Sequence, residues 1–383
     1  MILKNKKKIR IIIGSLNVGG TEKQLLKIIN NLAKRSWEIE LITLKELGVL
    51  GKHLNKKIKV NNLNVKFSFK LTKFFIIIFK LIKIFKKNPH TLTHFFLPQA
   101  YIVGMISSII AKTKCKLVMS RRSLNYYQKK IIFSRTIEKF LHKKVDKILV
   151  NSEAIKKQLI NQENVSEKKI KTIYNGIQLK NNKKIKKNNY FKIVITANLI
   201  PYKNHQILFN SLNLIKNQLP KNWKLYCIGR DDGIKKNLIK LSKKLEVSNN
   251  IIWIQTLNPE KILSNCNLGI LCSKEEGFPN AILEYFSYKM PVITTDVGGC
   301  KEIIKNKKNG ILIPKCNVSE LSKAILYIYK NKNIAKKFGD EGFKTIKTKF
   351  SLKKTINEHE NEYLKCLRSW HKKMYEYISE NIQ

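Results

Sequence analysis

From Ile9 onward the chain alternates short β-branched runs with longer amphipathic ones, and that alternation leaves few folds open. KIRIIIG is followed by EKQLLKIINNLAK, then by IELITL, LTKFFIIIFKLIKIFKK, LTHFF, QAYIVGMISSIIA, CKLVMS, FSRTIEKFLHKK and KILVNS. Strand followed by helix, repeated, specifies a parallel sheet with helices on both faces. The lysine-rich stretch LKNNKKIKKNNY, Leu179 to Tyr190, breaks the pattern and reads as a linker. FKIVITAN then restarts it, through QILFNSLNLI, KLYCIG, IKKNLIKLSKKL, NIIWI, EKILSN, LGILCS, NAILEYFSY and PVITT. A chain of 383 residues has room for two such cores. The expectation is therefore α/β, with two doubly wound domains at residues 1–178 and 191–351, a linker at 179–190, and a helical segment at 352–383.

The charge balance narrows the partners. The formal net charge is +50, and it is uneven: residues 1–190 hold 43 basic and 9 acidic groups, with no Asp or Glu between Glu46 and Glu138. Such a field favours anionic ligands, whether polyphosphate, anionic lipid or nucleic acid. Much of the excess is lysine accompanied by abundant Asn and Ile, as an AT-rich genome would produce, while the acid-free N-terminal half is harder to explain that way. No recognisable nucleic-acid module is present and only seven residues are Arg, which argues against a nucleic-acid binder. Seven scattered cysteines without C-x-x-C spacing indicate neither a zinc site nor a disulfide framework, and a reducing, cytoplasmic compartment is expected. The basic start MILKNKKKIRIIIG has too short an apolar core and no A-x-A-like site for a signal peptide, so it reads as the lead into a first strand. Leu71 to Lys87 is too short and too charged to span a bilayer; it reads as a helix with one buried face, whose lysines could lie against an anionic leaflet.

Open parallel sheets bind ligands beyond the carboxyl ends of their strands. The first such loop, GSLNVGGTEKQ, offers Gly19 and Gly20 for close backbone approach, and Thr21 with Gln24 fits a capping box opening the next helix. ANLIPYKNHQ places Lys203 after a strand and before a helix, where it could meet a diphosphate; a solvated lysine is the plainer reading. Arg121 and Arg122 follow the strand KLVM in a chain where Arg is scarce, and suit either a bidentate anion contact or a structural ion pair. In CSKEEGFPNAILEYFSY, Glu276 stands in a loop, Gly277 removes a side chain, and Pro279 suits the first turn of the helix that carries Glu284. Two carboxylates thus bracket exposed helix-terminal amides, an arrangement matching an anionic middle with hydroxyls on both sides, as in a nucleotide sugar. RDDG, Arg230 to Gly233, reads as a turn rather than a metal site, and no metal or other cofactor is expected.

The run EGFPNAILEYFSYKMPVITTDVGGCKEIIKNKKNGILI resembles the E-x7-E signature of the retaining family 4 glycosyltransferases with a GT-B fold. NVGGTEKQLLKIINNLAK, ILVNSEAIKKQL, KIKTIYNGI and NLIPYKNHQILFNSL extend the likeness over almost the whole chain. The resemblance implies two Rossmann-like domains facing each other across a cleft, with the final helical segment returning to the first. By it, Glu276 would contact the donor sugar, Glu284 the ribose and Lys203 the diphosphate. Gly277, Phe278, Pro279, Asn280 and Arg230 would complete the donor site, with Gly19 and Gly20 facing it. Two departures stand out. Ala197-Asn198 replaces a frequent Gly-Arg, so that Arg121, Arg122 or Arg230 would have to supply the second cation. Ser120-Arg121-Arg122 replaces a frequent histidine, leaving Arg122 and His94 as acceptor-side candidates, although a lone histidine is more often structural.

The implied function is retaining transfer of a sugar from a nucleotide-diphosphate donor, UDP-linked, to a cell-surface polysaccharide, lipopolysaccharide or lipid-linked acceptor, at the inner face of a membrane. Glu276, Lys203 and Arg121 are the expected catalytic residues. A sugar phosphorylase or an epimerase of similar architecture is the alternative within enzymes.

Overall fold

The computed structural model describes residues 7–65, 70–87, 92–125, 128, 134–179 and 190–380. It contains two compact units: Met1–Tyr174 with Lys353–Gln383, and Asn175–Leu352. Most of the expected linker, residues 180–189, lies outside the described residues.

The first unit runs β1 (Lys8–Ile13), α1 (Gly20–Lys34), β2 (Glu38–Thr43), β3 (Lys59–Asn62), α2 (Lys70–Lys87), β4 (Leu92–Phe96), α3 (Pro98–Ile110), β5 (Leu117–Arg121), α4 (Ser134–Lys144), β6 (Lys147–Val150), α5 (Glu153–Glu163) and β7 (Ile170–Thr172). Its seven strands are all parallel, in the order β3-β2-β1-β4-β5-β6-β7. Central strand β1 is a near-continuous apolar run because helices cover both of its faces, and Ile9, Ile11, Ile12 and Ile13 are all buried. Arg10 is buried within that run; it donates to Glu40 at 2.8 Å and its guanidinium lies 5.4 Å from the centre of the Phe85 ring. In α1, Leu25, Ile28, Ile29 and Leu32 fall at three- and four-residue spacing and form the inward stripe.

The second unit runs β8 (Lys192–Thr196), α6 (His205–Ile215), β9 (Lys224–Ile228), α7 (Lys235–Lys244), β10 (Ile251–Ile254), α8 (Glu260–Leu263), β11 (Leu268–Leu271), α9 (Asn280–Ser287), β12 (Val292–Thr295), α10 (Cys300–Ile303), β13 (Ile311–Ile313), α11 (Val318–Lys330) and α12 (Lys332–Lys349). Its six parallel strands are ordered β10-β9-β8-β11-β12-β13. Both sheets are of the Rossmann-like, doubly wound type. The strand order reverses between β1 and β4 in one and between β8 and β11 in the other, and at such points loops diverge and leave room for a ligand.

The last helix, α13 (Leu352–Glu380), packs with the first unit from Lys353 onward. Tyr363 is fully buried and stands edge-on to Trp37 with ring centres 5.8 Å apart. Glu360 accepts hydrogen bonds from Arg35 at 2.6 Å, Trp37 at 3.0 Å and Lys7 at 3.4 Å.

Three local expectations need correction. Strands β3, β7 and β13 are not visible in the alternation; each is a sheet edge of three or four residues, too short and too partly covered to show a pattern. The helix after the first loop begins two residues earlier than the Thr21–Gln24 capping box requires. Gly19 is its N-cap, and Glu22 rather than Gln24 crowds the amino terminus: a Cβ on Gly19 would come within 2.1 Å of Glu22 Oε2. Pro279 is likewise the N-cap of α9, and Asn280 is its first residue.

Candidate active site

In the second unit the two loops at the strand-order reversal meet. The loop after β8 carries Lys203 and the loop after β11 carries Glu276, and Lys203 Nζ donates to Glu276 Oε1 at 2.5 Å. The same oxygen accepts from Ser273 Oγ at 2.6 Å. Backbone bonds fix the loops to each other and to their neighbours. Lys274 N donates to Tyr202 O at 2.7 Å, Thr295 Oγ1 to Ser273 O at 2.6 Å, and the Cys272 thiol to Asn204 O at 3.2 Å. Asn204 can close the Lys203 turn because asparagine tolerates the left-handed conformation it adopts, φ 56° and ψ 43°. Burial would depress the Lys203 ammonium. The Glu276 carboxylate outweighs it, helped by Tyr202 and by the hydrogen bond itself, and holds the lysine above its ordinary value. His205 opens α6 two residues on. Burial, and then the Lys203 charge, push it down to about 4, so its imidazole is neutral.

Gly299 lets two loops touch. A Cβ on Gly299 would meet Gly277 O at 2.2 Å, and Gly299 N donates to Glu276 O at 3.4 Å. Phe278 is buried against Phe350, and Asn280 accepts from Asn175 Nδ2 at 2.8 Å. Glu284 lies on the second turn of α9, partly exposed, while its neighbour Tyr285 is fully buried. Strands β8 and β11 diverge after two paired residues, so the Thr196 amide has no ladder partner; the Tyr285 hydroxyl accepts it at 2.6 Å. Gly269 makes room for that ring, since a Cβ there would lie 2.3 Å from Tyr285 Cδ2.

Arg230 stands at the carboxyl end of β9. It grips Asp232 with two hydrogen bonds of 2.6 and 3.1 Å, and Asn198 Nδ2 donates to the same carboxylate at 3.3 Å. Asp231 folds its side chain over the amides of Gly233 (2.9 Å) and Lys235 (3.2 Å), which lowers its pKa and makes RDDG a turn, as its composition suggests.

In the first unit the residues expected at the strand ends have other occupations. Arg121 is buried, and its guanidinium donates to Glu138 and, at 2.9 Å, to Glu163. His142 completes this cluster, bonded to Glu163 at 3.0 Å and to Tyr101 at 2.9 Å. Among the described residues Glu138, His142 and Glu163 form the one group with ligand atoms close enough for a metal ion, but the arginine already supplies the positive charge there. Burial works to raise the Glu163 carboxyl, yet His142 and Arg121 prevail and lower it. The fork that could have gripped a diphosphate is thus spent on two buried carboxylates. His94 is also fully buried, between the Tyr363 hydroxyl at 2.7 Å and Ser120 Oγ at 2.9 Å. Arg122 donates to His359 Nε2 at 3.5 Å and lies over Phe96; burial pulls its pKa down to about 10. His94 and Arg122 therefore seat helix α13 instead of standing at an open strand end.

Two family models match the chain in succession: Glycosyltransferase Family 4 over residues 18–181 and Glycosyl transferases group 1 over residues 177–345. The fold is shared with HepE of Anabaena, solved in complex with UDP-glucose; it is 21% identical, with a TM-score of 0.78, over 94% of this chain and 99% of that one. The chain is a family 4-like GT-B glycosyltransferase. This glycosyltransferase is similar to the capsular polysaccharide biosynthesis glycosyltransferase CapM of Staphylococcus aureus, 25% identical over 75% of this chain and 77% of that protein. It is also similar to the O-antigen biosynthesis glycosyltransferase WbnH of Escherichia coli, 27% identical over 80% and 86%.

Sequence reasoning missed four residues that support the candidate site from behind: Ser273, Thr295, Tyr285 and His205. Ser273 lies three residues before Glu276 and Tyr285 one after Glu284, but a lone serine and a lone tyrosine carry no signal of their own. Their roles come from the divergence of β8 and β11, which only the strand order reveals.

Proposed function

We propose that this glycosyltransferase moves a sugar from a UDP-linked donor, with retention of the anomeric configuration, to a polysaccharide, lipopolysaccharide or lipid-linked acceptor. The observation that supports this most is the Lys203–Glu276 pair, held at the strand-order reversal of the second unit. Lys203 would meet the diphosphate, and Arg230, bound to Asn198 through Asp232, would bring a second cation to the position left by the Ala197-Asn198 replacement. Glu276 would accept hydroxyls of the sugar and Glu284 those of the ribose. Gly277, Phe278, Pro279 and Asn280 would present backbone to the donor at the amino terminus of α9. As the diphosphate departs, these cations and amides would stabilise its developing charge, a scheme that needs no metal. UDP-glucose in the HepE complex and the glycan names of the relatives point the same way. The test is a screen of UDP-sugars with short glycan and lipid-diphosphate acceptors, with NMR of the product linkage. An α-linked product from an α-linked donor is expected. A β-linked product would overturn retention, and turnover with a different nucleotide only would overturn the UDP assignment.

A further inference from the structure

Helices α2, α3 and α4 lie side by side on one face of the first sheet, with α3 packed between the other two. Their inward residues, among them Ile77, Ile78, Leu81, Phe85 and Leu141, join one core. The outward faces are unusual. On α2, Leu71, Phe75 and Phe79 fall four residues apart and are 70, 60 and 59% exposed; on α4, Phe140 is 57% exposed, with Ile137 beside it. Leu71, Phe75 and Phe79 make a stripe of exposed apolar side chains along α2, and α4 adds Phe140 and Ile137 across α3; clusters of exposed apolar groups mark surfaces that meet a partner.

The charge around the stripe is one-signed. Lys83, Lys86 and Lys87 follow it on α2, with Lys83 Nζ 4.6 Å from the centre of the Phe79 ring, and Lys143 and Lys144 follow Phe140 on α4. No Asp or Glu occurs from residue 47 to residue 137, and the next carboxylate, Glu138, is buried against Arg121. Each helix connects parallel strands, so α2 and α4 run the same way, and the apolar half of α2 lies nearer the carboxyl edge of the sheet. No described helix is long and apolar enough to cross a membrane.

We infer that this face docks on an anionic lipid bilayer, with Leu71, Phe75, Phe79 and Phe140 entering the interface and the lysines meeting lipid phosphates. A nucleic acid would answer the lysines but not the phenylalanines. A second copy of the chain would answer the phenylalanines while bringing two strongly positive faces together.

The test is flotation of the full chain with phosphatidylcholine vesicles, with and without phosphatidylglycerol, at low and high salt. The expected result is binding to the phosphatidylglycerol vesicles, weakened by salt and reduced at least about tenfold in Phe75→Ser/Phe79→Ser. The triple variant Lys83→Gln/Lys86→Gln/Lys87→Gln should lose the preference for anionic lipid. Both variants change exposed residues, so their thermal unfolding should match the parent and exclude misfolding as the cause. Absence of binding at low salt, equal binding to both vesicle types, or unchanged binding in the serine variant would each overturn the inference. So would a parent dimer, seen by sedimentation, that the serine variant dissolves.

Discussion

Lys203 and Glu276 are 73 residues apart in the chain and share a 2.5 Å hydrogen bond, because β8 and β11 are neighbours where the strand order reverses. The pair makes a cation that stays charged in a largely buried setting. Lys203→Ala should lower kcat by about 10²–10³-fold, the range seen when one group that stabilises developing charge is removed. Steady-state kinetics with the identified donor checks this; turnover within a factor of a few of the parent would take Lys203 out of leaving-group stabilisation.

Glu284→Gln should keep the fold, since the side chain is partly exposed on α9, and should weaken nucleotide binding by about 1–3 kcal/mol if the carboxylate accepts ribose hydroxyls. Titration calorimetry with UDP reads the difference directly.

Arg121→Met should act on stability instead of chemistry. It leaves Glu138 and Glu163 buried without their shared cation, a change that costs about 3–5 kcal/mol in comparable buried pairs. Urea unfolding should show the loss, while the Michaelis constants of the molecules that remain folded should match the parent.

Acid should loosen both units. Burial holds His94 and His359 well below the ordinary histidine value and takes His205 to about 4. A histidine lowered on folding binds its proton more readily in the unfolded chain, so its contribution to stability is full above about pH 6.5 and is lost as the pH falls, by up to about 1.4 kcal/mol per pH unit for each group. Urea midpoints at pH 7 and pH 5 should differ accordingly. In His205→Asn the difference should shrink, because one of the three groups no longer titrates.

The alternation of β-branched and amphipathic runs was enough to read two parallel sheets, because central strands such as Ile9 to Ile13 are apolar on both faces. Loop position and motif single out Lys203 and Glu276, but their contact with each other becomes visible only in the strand order. Arg121 was not. Its partners Glu138 and Glu163 stand 17 and 42 residues away with no periodic relation to it, and an arginine after a strand looks the same whether it awaits an anion or already holds two. His94 stays open between a structural and an acceptor-side role in the sequence for a similar reason, since Tyr363, which covers it, comes 269 residues later.

That late arrival bears on how the molecule is made. The second unit is one continuous stretch of chain, whereas the first needs residues from Lys353 onward to cover Trp37 and His94. During synthesis on the ribosome those surfaces stay open while some 180 further residues emerge, so the usual amino-terminal-first order of folding cannot hold here. The unit begun first is the one finished last.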